Sequence, residues 1–479
     1  MRLGARIPRN ALNIAKTPQW PKDATHWNPG GQMGEISIRK RIWGWFFFDW
    51  ASQPYNTLLL TFIFGPYINE LLGDGTAAQT AWGYGIGAAG LAIAALAPVL
   101  GAIADRSGVH MRFIWLFSVM YVVGSAGLWL AAPGSFNLVL IMVFFAIGLI
   151  GMEFATIFTN ALLPSLGARG DLGRISGSGW AFGYLGGLTA LVFMLLFLAE
   201  NAATGTTLIG RDPLFGLDPV AREGTRAVGP LAAIWYAVFM IPFFLWVRVP
   251  PNPGALPMGR AVRKALPDLM ASLKALPQSR SLFAYLGSSM LYRDALNGMY
   301  VFGGIYASGV LGWSVTDVGI FGILAVLSGA VFAWIGGRAD SSYGPKPVIV
   351  VNVTVLTLVG LAIIFVSRHS VLGIAVTSDS VLPDIVFYVL GVVIGAAGGA
   401  LQSASRTMLV RQVEPGRITE GFGLYALAGK ATSFVAPLSI GVTTQITGSQ
   451  QLGIAPLIVL FLAGLILLTW VNPNGEDGT

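Results

Sequence analysis

The sequence predicts an all-α membrane protein in which twelve transmembrane helices form two pseudo-symmetric six-helix bundles. Of the 479 residues, 54% are hydrophobic and only 11% are charged, and the mean hydropathy is +0.70. Soluble domains carry about 25% charged residues, so the composition indicates an integral membrane protein. The spacing of the apolar runs and an internal repeat predict the number of helices and their division into halves.

Apolar runs of about 20 residues, the length that crosses a bilayer as a helix, recur along the chain. They cover residues 43–67, 81–103, 113–132, 138–163, 175–198, 229–248, 282–308, 315–337, 347–366, 383–405, 420–443 and 453–471. We therefore predict a cytoplasmic N-terminal tail (1–41), a first bundle (42–248), a cytoplasmic linker (249–280), a second bundle (281–471) and a cytoplasmic C-terminal tail (472–479). The linker is basic and rich in proline, and we expect a short surface helix in it.

The basic residues support this helix count. With the N-terminus inside, 23 of the 29 Lys and Arg residues lie on the cytoplasmic side, 4 lie outside and 2 lie within helices. Cytoplasmic loops of membrane proteins carry such an excess, and a wrong helix count would scramble it. The residues from Glu200 to Gly229 then form an external loop, which we interpret as a cap.

An internal repeat supports the division into halves. The segment GAIADRSG at Gly101 returns as GGRADSSYG at Gly336, and GRISGSGWAFGYLGG at Gly173 returns as GRITEGFGLYALAGK at Gly416. The pair Asp49 and Tyr55 likewise returns as Asp294 and Tyr300. Transporters built from repeats hold their substrate at the repeat interface, near the middle of the bilayer.

The first predicted helix carries an aspartate about a quarter of the way along it. A charged side chain at such a depth costs roughly 2.5–3.5 kcal/mol and needs partners or water inside a bundle. Helical spacing places Asp49 on one face with Ser52, Gln53 and Asn56. This polar stripe is either part of a transport site or a hydrogen-bonding contact between helices.

The other ionisable residues within predicted helices belong to both halves. We expect a cation of the second half to face carboxylates of the first, and purely structural charge pairing is the alternative. The predicted substrate and coupling residues are Asp49, Gln53, Asn56, Glu153, Asn160, Arg293, Asp294, Asn297 and Lys430.

Several classes of protein are disfavoured. The chain has no cysteine and three histidines, which leaves no thiol chemistry and little for a metal site, so we expect neither a metal nor a cofactor. The net charge of +7 follows from topology rather than from a nucleic-acid surface. A nucleotide-binding loop is absent from the sequence. A polytopic enzyme acting on lipid, or a sensor without flux, remains the alternative to a transporter.

The segment GAIADRSGVHMR between the second and third helices resembles the signature of the major facilitator superfamily. The matching residues, which the resemblance assigns to a cytoplasmic gate, are Gly101, Asp105, Arg106, Gly108 and Arg112, with Gly336 and Asp340 in the second half. The segments WGWFFFDWASQPY (43–55), NALLPSL (160–166), RDALN (293–297) and the stretch from Gln402 to Pro437 resemble, more narrowly, the branch named after the yeast vacuolar amino-acid effluxer of autophagy.

The resemblance implies a transporter that works by alternating access in the bacterial inner membrane, on amino-acid-like solutes, in the direction of export. It places Asp49 and Asp294 at a central cavity, where one binds the substrate amine or carries a coupling proton. Arg293 or Lys430 then holds the substrate carboxylate. Arg406, near the end of the tenth helix, is expected at the gate or at lipid headgroups. The fourth helix departs from many proton-coupled relatives because it has no arginine.

Overall fold

A computed structural model describes residues 36–167, 172–248, 255–263, 267, 279–413, 425, 428–429 and 431–475. The first half contains α1 (Ile38–Pro54), a π-helix (Tyr55–Phe62), α2 (Phe64–Leu72), α3 (Gly75–Ser107), α4 (His110–Gly127), α5 (Leu138–Asn160), α6 (Leu172–Phe197), α7 (Glu223–Arg226), α8 (Val228–Phe239) and α9 (Ile241–Trp246). The second half contains α10 (Arg280–Val310), α11 (Val315–Tyr343), α12 (Pro345–Ile364), α13 (Leu382–Gln412), α14 (Val435–Thr447), α15 (Gln450–Gly453) and α16 (Ala455–Leu468).

Nine helical segments of the described chain are long and apolar enough to cross a membrane. The other three predicted helices differ for physical reasons. The first is divided between α1, the π-helix and α2; the seventh lies within α10, whose middle carries Arg293 and Asp294; and the eleventh is described mainly as α14. The linker predicted at 249–280 is helical at residues 258–263, and most of its remaining residues lie outside the described chain.

A proline produces the irregularity in the first span. Pro54 has no N–H and therefore cannot bond the carbonyl of Trp50, four residues earlier. The indole of Trp235 in α8 donates to that carbonyl instead, at 3.1 Å. The following residues continue as a π-helix, and the span remains packed against its neighbours.

The two halves repeat one helix-packing contact. The Tyr55 hydroxyl donates to the carbonyl of Phe145 in α5 at 2.6 Å, and a Cβ added to Gly148 would lie 2.8 Å from that hydroxyl. In the second half, the ring of Tyr300 packs on Gly398 of α13. A glycine thus admits a tyrosine at corresponding places, and the repeat seen in the sequence is also present in the packing.

The halves meet closely between α3 and α14. A Cβ added to Gly83 would lie 2.6 Å from the Cα of Gly441, so only glycine permits this approach. Nearby, the Gln79 amide donates to the Thr444 hydroxyl at 2.8 Å and to the Gln450 carbonyl at 3.1 Å. We call this end of the molecule the Gln79 end.

Two charge clusters hold loops at the ends of the helices. Arg222 lies 2.6 Å from Glu70 and 2.8 Å from Glu200, which ties the loop before α7 to the end of α2. Arg368 lies 2.8 Å from Asp384. It lies in the turn between the first two strands of a small antiparallel sheet, which consists of β1 (Val366–Ser367), β2 (Ser370–Val371) and β3 (Ile374–Ala375). Strands of two residues are too short to be predicted from sequence.

Candidate functional site

Asp49 lies where α1 packs against the glycines of α6. A Cβ added to Gly183 would lie 3.1 Å from the Asp49 Cβ, and one added to Gly179 would lie 2.7 Å from its Oδ2. Glycine at these positions lets α6 approach the aspartate closely. Within the described chain, its carboxylate receives no hydrogen bond and forms no ion pair.

Arg406 of α13, in the second half, lies in the same region as Asp49. Its guanidinium lies 5.2 Å from the ring centroid of Trp180 in α6, a cation–π contact between the halves. It is also within electrostatic range of Asp49, Arg293, Tyr184 and Tyr425. The helix continues for six residues beyond it, or about 9 Å. Arg406 thus lies inside the bundle interface, deeper than the gate position expected from the sequence.

Arg293 provides a second cation in the same region. Its guanidinium lies 4.1 Å from the ring centroid of Tyr425 and donates to the carbonyl of that residue at 3.4 Å. A Cβ added to Gly429 would lie 2.9 Å from its Nη1, so the guanidinium packs directly on this glycine. These contacts hold Arg293 against the eleventh span.

Gln402 joins the polar groups of the two halves. One turn before Arg406 on α13, its side chain interacts with the hydroxyls of Tyr184 in α6 and Tyr300 in α10. The amide and the hydroxyls are uncharged donors and acceptors that can serve a polar solute. We call the following set the central site: Asp49, Trp180, Tyr184, Arg293, Gln402, Arg406 and Tyr425.

Asp294 differs from its repeat partner Asp49. It is 3% exposed, and its Oδ2 accepts a hydrogen bond from the backbone N–H of Ala436 at 2.9 Å. The sequence placed the two aspartates at one cavity as equivalents. The structure instead directs the Asp294 carboxylate to the first turn of α14, because a backbone donor is exposed there.

The remaining predicted substrate residues are dispersed. The amide of Asn56 lies 3.9 Å from the sulfur of Met152, and Gln53 packs near Gly187. Glu153 is half-buried, and its side chain already interacts with another group of the protein. Asn160 and Asn297 are exposed, whereas Lys430 lies outside the described residues.

The predicted gate residues cluster at helix ends. Gly108 ends α3 with a φ of 69°, a conformation that favours glycine. Gly101 and the backbones of Asp105 and Arg106 belong to the last turns of α3, and Arg112 is exposed at the start of α4. Asp340 is 4% exposed in α11, and its Oδ1 finds no partner in the described chain. Gly336 packs on Ala400 of α13.

Comparison with known proteins identifies the family. Residues 168–476 match the family described as "Vacuole effluxer Atg22 like". The chain belongs to this family. The Atg22-like chain is 25% identical over 441 residues to the uncharacterized MFS-type transporter YxiO of Bacillus subtilis strain 168, a match that covers 89% of the chain and 94% of YxiO.

The fungal relatives of this Atg22-like chain are longer. It is 26% identical over 306 residues to autophagy-related protein 22 of Cryptococcus neoformans var. neoformans serotype D strain JEC21. That match covers 62% of the chain and 49% of the fungal protein. The chain therefore spans about half the length of this relative.

Solved structures establish the fold of the Atg22-like chain. A D-xylose–proton symporter superposes with a TM-score of 0.60 at 12% identity, over 91% of this chain and 98% of the other. A point mutant of the nucleoside transporter NupG gives 0.59 at 14% identity, over 90% and 98%. These superpositions confirm the predicted all-α major facilitator fold. The family match and the MFS-type relative YxiO support a membrane transporter rather than an enzyme.

The central site contains residues that sequence reasoning had placed elsewhere. The sequence predicts Arg406 at the gate, whereas the structure brings it close to Trp180, Tyr184 and Tyr425. One sequence signal did point to the site, because Gln402 and Arg406 are four residues apart and share a helical face. Their meeting with Asp49 depends on contacts between the halves and could not be predicted from spacing.

Proposed function

We propose that this chain is a secondary transporter that moves a small amino-acid-like solute by alternating access and binds it at the central site. Export is the proposed direction, and a proton is the proposed coupling ion. Both directions of flux use the same site, because a solute that contacts both halves can be released on either side when the halves rock.

The observation that carries this proposal is that Asp49 and Arg406, one from each half, lie within electrostatic range of each other. The Asp49 carboxylate has no hydrogen-bonded partner in the described chain. The guanidinium of Arg406 lies over the ring of Trp180. A zwitterionic solute needs one anionic and one cationic partner. The two residues supply these charges within one region, and the solute would link the halves while bound.

A second cation favours a carboxylate in the substrate. Arg293 and Arg406 are within electrostatic range of each other, and like charges repel more strongly in a medium of low dielectric constant. A substrate carboxylate between them relieves that repulsion, and a guanidinium binds a carboxylate through two parallel N–H donors. This assignment retains Arg293 as a carboxylate ligand and adds Arg406.

The same site also offers a group that could couple transport to a proton gradient. Asp49 is the one carboxylate that we place in the central site, so it either binds the substrate amine or carries the coupling proton. A buried aspartate can exchange a proton when the halves rock, because each orientation exposes it to a different compartment. Proton coupling and amine binding are therefore separable by replacing this one side chain.

The orientation follows from the basic residues. With 23 of 29 Lys and Arg residues on one side, we place both termini in the cytoplasm of a bacterial cell and the Gln79 end outside the inner membrane. A reporter fused to the C-terminus should then be active in the cytoplasm, and one inserted at Gly210 should be active outside. The opposite result at Gly210 would contradict the orientation.

A ligand panel tests the proposed substrate class. Purified protein is heated with free amino acids, with their N-acetyl derivatives, which lack the charged amine, and with their methyl esters, which lack the carboxylate. A ligand of the folded state raises the unfolding temperature by mass action. We expect at least one free amino acid to stabilise the protein and both of its derivatives to stabilise it less. Equal shifts for all three forms would contradict zwitterion recognition.

A flux measurement distinguishes a transporter from a protein that binds the solute without moving it across the membrane. A stabilising amino acid from the panel is loaded into liposomes that contain the protein, and radiolabelled exchange is measured against empty liposomes. We expect exchange that saturates with concentration. Binding without exchange would favour the sensor alternative.

A further inference from the structure

Asp294 makes a contact that an aspartate in a transport site would not need. Its carboxylate is buried and accepts a hydrogen bond from the N–H of Ala436, the second residue of α14, at 2.9 Å. The residue before α14, Phe434, supplies no side-chain cap. The first N–H groups of a helix have no partner within the helix, and their end of the helix dipole favours a carboxylate.

The surface of α10 is shaped to receive this helix end. Gly298 lies one turn after Asp294, and a Cβ added there would lie 3.3 Å from the Cβ of Ala436 and 2.6 Å from Leu457. Residues 432–434 form a turn, and the N–H of Val435 donates to the Thr432 carbonyl at 2.8 Å. The eleventh span therefore restarts as α14 directly over Asp294.

The side of α14 that points away from Asp294 packs against α3, and this contact closes the molecule at the Gln79 end. A Cβ added to Gly90 of α3 would lie 3.0 Å from the Cα of Phe434, and one added to Gly87 would lie 3.1 Å from Leu438. Together with Gly83, these glycines form one face of α3 at spacings of three and four residues. Helix α14 thus lies between Asp294 in its own half and the glycine face of the opposite half.

The repeat explains why only one aspartate has this contact. Asp49 packs against α6, which is helical from Leu172 to Phe197 without a break, so its backbone N–H groups are already bonded within the helix. Asp294 packs against a span that restarts at Val435 and therefore exposes N–H groups. The same residue in the same repeat position finds a donor only in the second half.

We propose that Asp294 is a positioning residue. Its carboxyl oxygen holds the N-terminus of α14 on α10, and α14 in this position closes the Gln79 end against α3. Asp294 is then neither a substrate ligand nor a proton carrier. What matters is an acceptor oxygen at this place, and the negative charge is secondary.

Two replacements separate the acceptor from the charge. Asp294→Asn keeps a carbonyl oxygen that can accept from Ala436, whereas Asp294→Leu has a similar shape without an acceptor. Closure is measured in the full-length chain with the added pair Tyr84→Cys and Gln445→Cys, whose parent side chains form a hydrogen bond between α3 and α14. The chain has no native cysteine, so a short bifunctional thiol reagent reports this pair alone.

We expect the Asp294→Asn chain to cross-link at the parent rate and the Asp294→Leu chain to cross-link about tenfold more slowly, which corresponds to about 1.4 kcal/mol. Asp317→Ala is the matched control, because Asp317 caps α11 together with Ser314 and lies away from α14. It should lower the unfolding temperature without changing the rate of cross-linking.

Two results would overturn the proposal. One is an equal loss of cross-linking in the Asn and Leu chains, which would assign the effect to charge; the other is an unchanged rate in both. If the Leu chain does not fold, Ala436→Pro removes the N–H donor in the first turn of α14, where no hydrogen bond within the helix is lost. It should then slow cross-linking in the same way, and a parent rate in that chain would also overturn the proposal.

Discussion

The guanidinium of Arg406 lies 5.2 Å from the ring centroid of Trp180, and this contact joins α13 of the second half to α6 of the first. A cation–π contact of this kind contributes roughly 0.5–2 kcal/mol, and a hydrogen bond to a charged group contributes a comparable amount, about 1.5–3 kcal/mol. Arg406 can therefore exchange its aromatic partner for a substrate carboxylate. Such an exchange would couple binding to movement of the halves.

Replacement of Arg406 tests its role in binding. A hydrogen bond to a charged group contributes about 1.5–3 kcal/mol, so we expect Arg406→Ala to weaken binding of a carboxylate ligand by about 10- to 100-fold. Arg406→Lys should retain part of the affinity, because it keeps the charge but loses the planar donor fork. The measurement is the ligand concentration that half-maximally raises the unfolding temperature. Arg411→Ala, at an exposed position of the same helix, is the control. Equal affinities in the parent, the two Arg406 variants and this control would contradict the assignment.

Replacement of Asp49 separates its two proposed roles. If Asp49 carries the coupling proton, Asp49→Asn should still exchange substrate between the two sides of a liposome but should no longer respond to a pH gradient. If Asp49 binds the amine, both exchange and binding should be lost. Asp379→Asn, on an exposed loop, is the control. Unchanged binding, exchange and pH response would leave Asp49 with a structural role only.

Gly83 should determine how tightly the Gln79 end closes. In Gly83→Ala the new Cβ would lie 2.6 Å from the Gly441 Cα and 2.8 Å from the Pro437 carbonyl, and neither backbone atom can turn aside. We expect α14 to move away from α3 in this variant. When Thr444→Cys is added, the introduced thiol should then react faster with a water-soluble thiol reagent than it does in the parent background. Gly303→Ala is the matched control, because a Cβ there meets nothing within 4 Å. Equal reactivity in the two chains would contradict this account of closure.

Arg222 should be required for stability. Glu200 is fully buried, and Arg222→Ala would leave its charge without the guanidinium that now contacts it at 2.8 Å. Removal of one partner from a buried ion pair costs about 3–5 kcal/mol, which should lower the unfolding temperature of a chain of this length by about 3–5 °C. Glu200→Gln in the same chain should restore part of the loss. Arg211→Ala, an exposed residue of the same loop, should change the unfolding temperature little.

The amino-acid sequence is sufficient to predict the all-α membrane fold, its two bundles and the resemblance to the superfamily. These depend on local composition and on order along the chain: apolar runs of bilayer length, basic loops that alternate in side, and motifs that return at nearly one offset. The same reasoning selected Asp49 and Arg293. An ionisable side chain within an apolar helix can be recognised from the sequence without knowing which residues it contacts.

Which groups those side chains meet depends on packing between segments that are distant in the sequence. Asp49 and Asp294 look alike in sequence, yet one lies within electrostatic range of an arginine of the opposite half and the other caps α14. The difference arises because one neighbouring helix is continuous and the other restarts, a property of a segment that lies far along the chain from each aspartate. Arg406 likewise enters the central site because α13 extends beyond it and packs across from α6. Hydrophobic periodicity records which face of a helix is buried, whereas the partner on that face is determined by packing between distant segments.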